Sequence, residues 1–200
     1  MTNFDAKART WDSDPAKVER AERVAEAIRH EVPVSPSANV LEYGCGTGLL
    51  GFALQPHVRQ LTLADASREM LAVLREKIAA TGASNMTPVL LDLLRDPAPS
   101  SRYDLVCTLL TLHHITDVDA LLARFHALVA PGGTLCISDL DTEDGSFHGA
   151  GFDGHNGFDR TDLGQRLERA GFRDVSFTTP LSVERGGRTY PLFLAVARRP

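Results

Sequence analysis

Five short apolar runs most constrain what this chain can fold into: "NVLEYG" (39–44), "LTLAD" (61–65), "TPVLLD" (87–92), "YDLVCTLL" (103–110) and "TLCISD" (134–139). Each is apolar at consecutive rather than alternate positions, as in strands buried on both faces. Segments with helical spacing lie between and before them. Asp14-Pro15 supplies a cap and a first-turn proline ahead of a stripe of Val18, Ala21, Val24, Ala25 and Ile28, and Pro33 and Pro36 end it. The glycine loop after the first strand leads into a second helix, and Ser67 caps a third carrying Met70, Leu71, Leu74 and Ile78, with Gly82 beyond its end. Asp117 precedes a fourth, through Leu121, Leu122, Phe125 and Leu128, stopped by Pro131-Gly132-Gly133. Asp159 or Thr161 starts the last, which ends at Gly171. Strands alternating with helices predict an α/β, doubly wound, mostly parallel sheet with helices on both faces. "DVSFTT" and "LFLAVA", joined through Gly186-Gly187, leave no room for a helix and predict an antiparallel hairpin at one edge.

A chain of 200 residues suits one domain, 1–200. The formal net charge of −5 weighs against nucleic acid as the main partner, because phosphate backbones need a basic footprint. No apolar run approaches the roughly 20 residues of a membrane span, and the N-terminus lacks the apolar core of a signal peptide. Cys45, Cys107 and Cys136 are odd in number and far apart, with no metal or disulfide spacing. Buried thiols in a reduced, cytoplasmic protein are the expectation. Residues 140–160, rich in glycine, form a long irregular connection of the kind that is usually functional.

"LEYGCGTGLLG" (41–51) allows two readings. Gly46, Gly48 and Gly51 fit the dinucleotide fingerprint G-x-G-x-x-G, while Gly44, Gly46 and Gly48 fit a tighter G-x-G-x-G entered through Glu42. In open parallel sheets, ligands bind beyond the carboxyl ends of the strands. There the first three strands deliver Glu42, Asp65 and Asp92 in turn. Asp65 suits ribose hydroxyls, and Asp92 could accept from an exocyclic amine. A dinucleotide needs its pyrophosphate at the helix N-terminus. Glu42 would repel that group and would suit a cationic amine or a sulfonium instead.

These residues resemble the class I S-adenosylmethionine-dependent methyltransferases. "VLEYGCGTGLLG", "LTLADAS", "LLDLL", "YDLVCTLLTLHHI" and "LVAPGGTLCISDLD" are similar to successive motifs of that family, and "GFRDV" to the start of its closing hairpin. The resemblance implies a seven-stranded sheet with its last strand antiparallel. It implies S-adenosyl-L-methionine as cofactor and S-adenosyl-L-homocysteine as product. It also implies cofactor contacts from Glu42, Gly44, Cys45, Gly46 and Gly48, from Asp65, Ala66 and Met70, from Asp92 and Leu93, and from Thr108 and Leu109. "FDAKARTWD" resembles a lid, so residues 1–35 form an N-terminal segment in which Trp11 closes over the cofactor.

The strand-four motif is not the Asn/Asp-Pro-Pro-aromatic signature of amino-group methylases. With no appended domain in 1–200, a small-molecule acceptor held by the N-terminal segment, the strand-four turn and the 140–160 loop is the expectation. His155 and His113 are the candidate general bases. A metal site from His113, His114, Asp139 and Asp141 lacks any helical i, i+4 pair, so no metal is expected. An NAD(P)-dependent oxidoreductase using Gly46, Gly48, Gly51 and Asp65 is opposed by Glu42, Asp92 and the terminal hairpin. A methyltransferase-like protein that binds the cofactor without turnover is the remaining alternative.

Overall fold

The structure, a computed structural model, describes residues 4–200, so the first three residues of the expected 1–35 segment lie outside the described residues. Seven strands form one sheet in the order β3-β2-β1-β4-β5-β7-β6. They are β1 (Asn39–Tyr43), β2 (Gln60–Asp65), β3 (Met86–Leu90), β4 (Tyr103–Leu109), β5 (Val129–Leu140), β6 (Arg173–Arg185) and β7 (Arg188–Arg198). β1 through β5 pair in parallel, and β7 runs antiparallel to both β5 and β6. The sheet grows from β1 toward β3 on one side and from β4 on the other. The reversal between β1 and β4 opens a crevice at their carboxyl ends, where doubly wound folds bind ligands.

The helices are α1 (Phe4–Lys7), α2 (Pro15–Glu31), α3 (Leu49–Leu54), α4 (Arg68–Thr81), α5 (Val118–Leu128) and α6 (Arg160–Arg169). The caps read from the sequence are formed. Asp14 accepts from the Ala16 N–H, Ser67 from Met70, Asp117 from Ala120 and Asp159 from Asp162. One core layer joins Leu121, Phe125, Leu163 and Phe172 to one face of the sheet. The other joins Val24, Ile28, Leu50, Leu71 and Leu74 to the opposite face. Burial on both faces is what the unbroken apolar runs require.

Four strands depart from the sequence boundaries. The third run, 87–92, is a strand only to Leu90. Beyond it the Leu91 N–H donates to the Asp65 carbonyl and the Asp92 N–H to the Asp96 carboxylate, which turns the chain. Pro131-Gly132-Gly133 lies inside β5 after α5 has ended at Leu128, as an irregularity with Gly132 at φ +76° and a register break opposite Tyr103 and Leu105 of β4. β6 and β7 run well past "DVSFTT" and "LFLAVA". Their far ends bury Val183, Tyr190 and Leu192 with Leu140 and Phe147 in a third apolar cluster, under the irregular 141–159 connection. Cys45, Cys107 and Cys136 are free and buried. Among the described residues no helix is long and apolar enough to cross a membrane.

Candidate active site

The turn after β1 is a backbone cradle. Gly44, Gly46 and Gly48 all sit in the left-handed region, at φ +71°, +53° and +81°. A Cβ added at Gly44 would fall 2.2 Å from Thr111 Oγ1, so this turn touches the turn that follows β4. At Gly46 the nearest side-chain atom to such a Cβ is the Met70 sulfur, at 3.9 Å, and the loop is open there. Asp65, at the end of β2, holds the cradle in shape. Its Oδ2 accepts from the Gly46 N–H at 2.7 Å and its Oδ1 from the Ser67 N–H at 2.8 Å. Burial pushes its carboxyl pKa up, partly offset by these bonds.

Glu42 is only 2% exposed and lies behind the cradle rather than on its open side. A Cβ at Gly51 of α3 would stand 2.8 Å from its Oε2, and that oxygen has no hydrogen-bond partner. Burial first, then repulsion from Asp65, pushes its pKa up to about 8. Any attraction Glu42 exerts on a cation in the crevice acts through the loop. Asp92, half-buried just past β3, accepts from the Leu94 N–H at 3.0 Å. The Leu93 N–H already donates to the Tyr43 hydroxyl, and the Leu93 side chain is fully buried. Ala66 is exposed beside Asp65, Cys45 is a buried thiol within the loop, and Met70 is buried beneath it. Thr108 is buried with its hydroxyl unpartnered. The Leu109 carbonyl accepts from Thr111 Oγ1 at 3.2 Å, and Leu110 takes the strained φ of +51° at this corner.

The N-terminal segment is fastened over this cradle. Asp12 accepts from the Thr47 hydroxyl and, at 2.6 Å, from Lys77, which also donates to the Thr47 carbonyl at 2.9 Å. Asp5 accepts from the Ser67 hydroxyl. The Phe4 ring meets Trp11 at 6.0 Å and His114 at 5.1 Å. Trp11 is half-buried and has the Lys17 ammonium 4.0 Å from its ring centre.

On the other side of the crevice, the irregular connection folds back onto the β4 turn. The His155 N–H donates to the His113 carbonyl at 2.8 Å, and His155 Nε2 bonds the Ile115 carbonyl at 2.9 Å. That ring therefore fastens the loop. His113 is 2% exposed. Its Nδ1 lies 2.6 Å from Asp139 Oδ1, and its Nε2 lies 3.0 Å from His148 Nε2. His148 stacks on Phe152 at 3.9 Å. Burial pushes the His114 and His148 pKa values down to about 3 and about 4, so both rings are neutral at physiological pH. Of the acids considered for a metal, Asp139 joins this cluster. Asp141 instead makes a bidentate pair with Arg160, at 2.7 Å on both oxygens. His148 and Asp139 were absent from the expected site residues. The signal for His148 was a histidine next to Phe147 in a glycine-rich loop, and for Asp139 an acid closing β5.

The cradle fits an adenosine cofactor with a cationic amino acid end. It offers a glycine backbone open at Gly46, a largely buried acid at Asp65 and a buried carboxyl at Glu42 with one oxygen unpartnered. A sequence profile described as a methyltransferase domain matches residues 17–176. The chain belongs to that family. This methyltransferase is 30% identical to a malonyl-[acyl-carrier protein] O-methyltransferase of Laribacter hongkongensis, over 98% of this chain and 69% of the relative. Its fold matches a SAM-dependent methyltransferase of Aquifex aeolicus with TM-score 0.74, at 22% identity and covering 98% of both chains. It also matches, with TM-score 0.79 at 17% identity, a Haloferax volcanii chain solved with the Trm112 methyltransferase activator, covering 99% of this chain and 98% of that one. The chain spans less than half the length of several curated relatives, 42% in the case of an uncharacterised methyltransferase of Schizosaccharomyces pombe at 29% identity over 56% of this chain. The domain matched and the seven-stranded fold agree with the family that the order of strand-end motifs implies.

Proposed function

We propose that this enzyme methylates a small molecule held between the N-terminal segment, the β4 turn and the 141–159 connection. The observation that carries this reading is the aromatic and imidazole lining where the three meet: Phe4 against His114, and Phe152 against both His114 and His148. Such a lining suits a compact acceptor rather than a charged polymer, and the net charge of −5 points the same way. The Laribacter relative is named for O-methyl transfer to a malonyl group borne on acyl-carrier protein, so its reacting group, though not its carrier, is of this size.

In this reading the glycine turn and the Leu109 backbone hold the amino acid end of the cofactor, with Glu42 acting through the loop. Asp65 accepts from the ribose, Asp92 and Leu93 border the adenine with Ala66 and Met70 beside them, and Trp11 and Asp12 close the lid. Bound S-adenosylmethionine supplies an electrophilic methyl group. The protein's part is to align the acceptor and exclude water. Incubation of a metabolite extract with methyl-labelled cofactor should place label on compounds of low molecular mass. Label appearing only in protein or RNA would refute the proposal. Cofactor binding with no labelled product would favour a binding protein without turnover. Asp65→Ala should weaken cofactor binding about 100-fold in calorimetry, because two backbone donors lose a charged acceptor along with the ribose contact; unchanged affinity would remove Asp65 from that role.

A further inference from the structure

Three imidazoles converge where the irregular connection meets the β4 turn. One ring nitrogen from each of His113, His114 and His148 lies within 4.8 Å of the other two. His113 and His148 point Nε2 at Nε2 across 3.0 Å. The nitrogens of a tetrahedral zinc site stand about 3.4 Å apart, given Zn–N bonds of about 2.0–2.1 Å. Small side-chain shifts would bring all three into that range. The tautomer of His113 is set from behind: the fully buried Asp139 carboxylate takes Nδ1–H, which leaves the Nε2 lone pair facing the cluster. A carboxylate behind a histidine in this way is the usual support of a metal-ligating imidazole.

From this geometry we infer that His113, His114 and His148 form a binding site for one divalent transition-metal ion, zinc in the first instance, with Asp139 as the positioning residue behind His113. An all-imidazole set favours zinc or a neighbouring late first-row ion over magnesium or calcium, which prefer oxygen ligands. Three protein ligands leave a fourth position open, the arrangement of catalytic rather than structural zinc. Thr111, two residues before His113, touches the glycine turn, which brings the segment carrying His113 and His114 to the cradle. This assignment deepens the small-molecule reading and rests on it for its chemistry. The acceptor class would be a thiol or hydroxyl compound whose sulfur or oxygen takes the open position and whose proton passes to solvent. Sequence spacing does not reveal such a site, because its third ligand comes from a loop 35 residues away from His113.

The test is titration of chelator-treated full-length protein with Co(II) and with Zn(II), together with S-adenosylhomocysteine titration of the same samples. One Co(II) per chain should bind, with the intense visible absorption of a four-coordinate site, and Zn(II) should displace it. His148→Ala, at a half-exposed loop position where misfolding is not expected, should abolish those bands while S-adenosylhomocysteine still binds. Asp139→Asn should weaken Co(II) binding 10- to 100-fold. A wild-type protein that binds S-adenosylhomocysteine but shows no stoichiometric Co(II) or Zn(II) would overturn the metal site and leave the methyltransferase reading intact. Bands that persist in His148→Ala would overturn it too. Metal binding as expected without S-adenosylhomocysteine binding would sink the underlying reading and not the site.

Discussion

On the β1–β3 side of the crevice, the site is made of backbone. Gly46 and Ser67 N–H groups converge on the Asp65 carboxylate, and the turn after β1 is open at Gly46, where an added Cβ would meet only the Met70 sulfur, at 3.9 Å. On the β4–β5 side it is made of side chains. His113, His148 and Asp139 bond one another ring to ring and ring to carboxylate, on elements 26 and 35 residues apart. The difference shows how such an enzyme divides its work. In the proposed function, the cofactor is gripped by main chain that a short motif dictates, and the acceptor meets groups that depend on how one irregular loop packs. Substitutions should therefore fail in different ways on the two sides.

The largest effect should come from the smallest added group. Gly44→Ala places a methyl 2.2 Å from Thr111 Oγ1 and 2.4 Å from Thr111 Cγ2, at a φ of +71°. Left-handed strain contributes about 1 kcal/mol. Forcing the β4 turn aside contributes about 1–3 kcal/mol more. Thermal unfolding should show a loss of that order, with cofactor binding falling at least about 100-fold. A variant with wild-type stability and cofactor affinity would break the claim that the cradle depends on bare backbone at this position.

The same division explains what the sequence revealed. The mostly parallel sheet, the terminal hairpin, the four helix caps and the Glu42–Asp65–Asp92 series were legible, because each follows from a local pattern of period, cap or strand end. The acceptor side was legible only in part. His113 was singled out, and Asp139 stood beside it only in a metal reading that was set aside; His148 was not singled out, since nothing in "GSFHGAGFDGHNGFD" distinguishes it from His155. The fold does distinguish them. His155 is spent on the Ile115 carbonyl, while His148 reaches His113. Glu42 was legible as an acid at the right place but not as a buried one. Its seclusion depends on the close approach of α3, where a Cβ added at Gly51 would stand 2.8 Å from Glu42 Oε2.

That seclusion gives the second prediction, smaller than the first and tied to pH. The folded state holds the Glu42 proton up to about 8, against an ordinary value of 4.5. Folding therefore binds a proton that the unfolded chain releases in that window. The cost of Glu42 to stability is absent below pH 4.5, grows as the pH rises, and is complete above about 8. Without cofactor, Glu42→Gln should match the wild type near pH 4.5 and exceed it by more than about 1 kcal/mol near pH 8. A cationic amino acid end favours the ionised carboxylate. Wild-type affinity for S-adenosylmethionine should accordingly rise with pH through the same window, and that of Glu42→Gln should stay flat. Parallel pH profiles for the two proteins would show that Glu42 does not sense the crevice.

The smallest effect tests the side-chain half. Arg160 grips both oxygens of Asp141 at the start of the irregular connection and also bonds Thr179 Oγ1 at 2.7 Å. Arg160 is about a third exposed and Asp141 about a quarter, so solvent screens the pair and its loss should cost no more than about 1 kcal/mol. The consequence for function should be out of proportion to that number. Arg160→Ala frees one anchor of the loop that carries His148, while the glycine turn, Asp65 and the lid bonds of Asp12 lie on other elements. The KM for the acceptor should rise several-fold with cofactor affinity unchanged, each measured separately. If cofactor affinity falls in step, the two halves are mechanically one, and the contact between Thr111 and Gly44 is the place where they join.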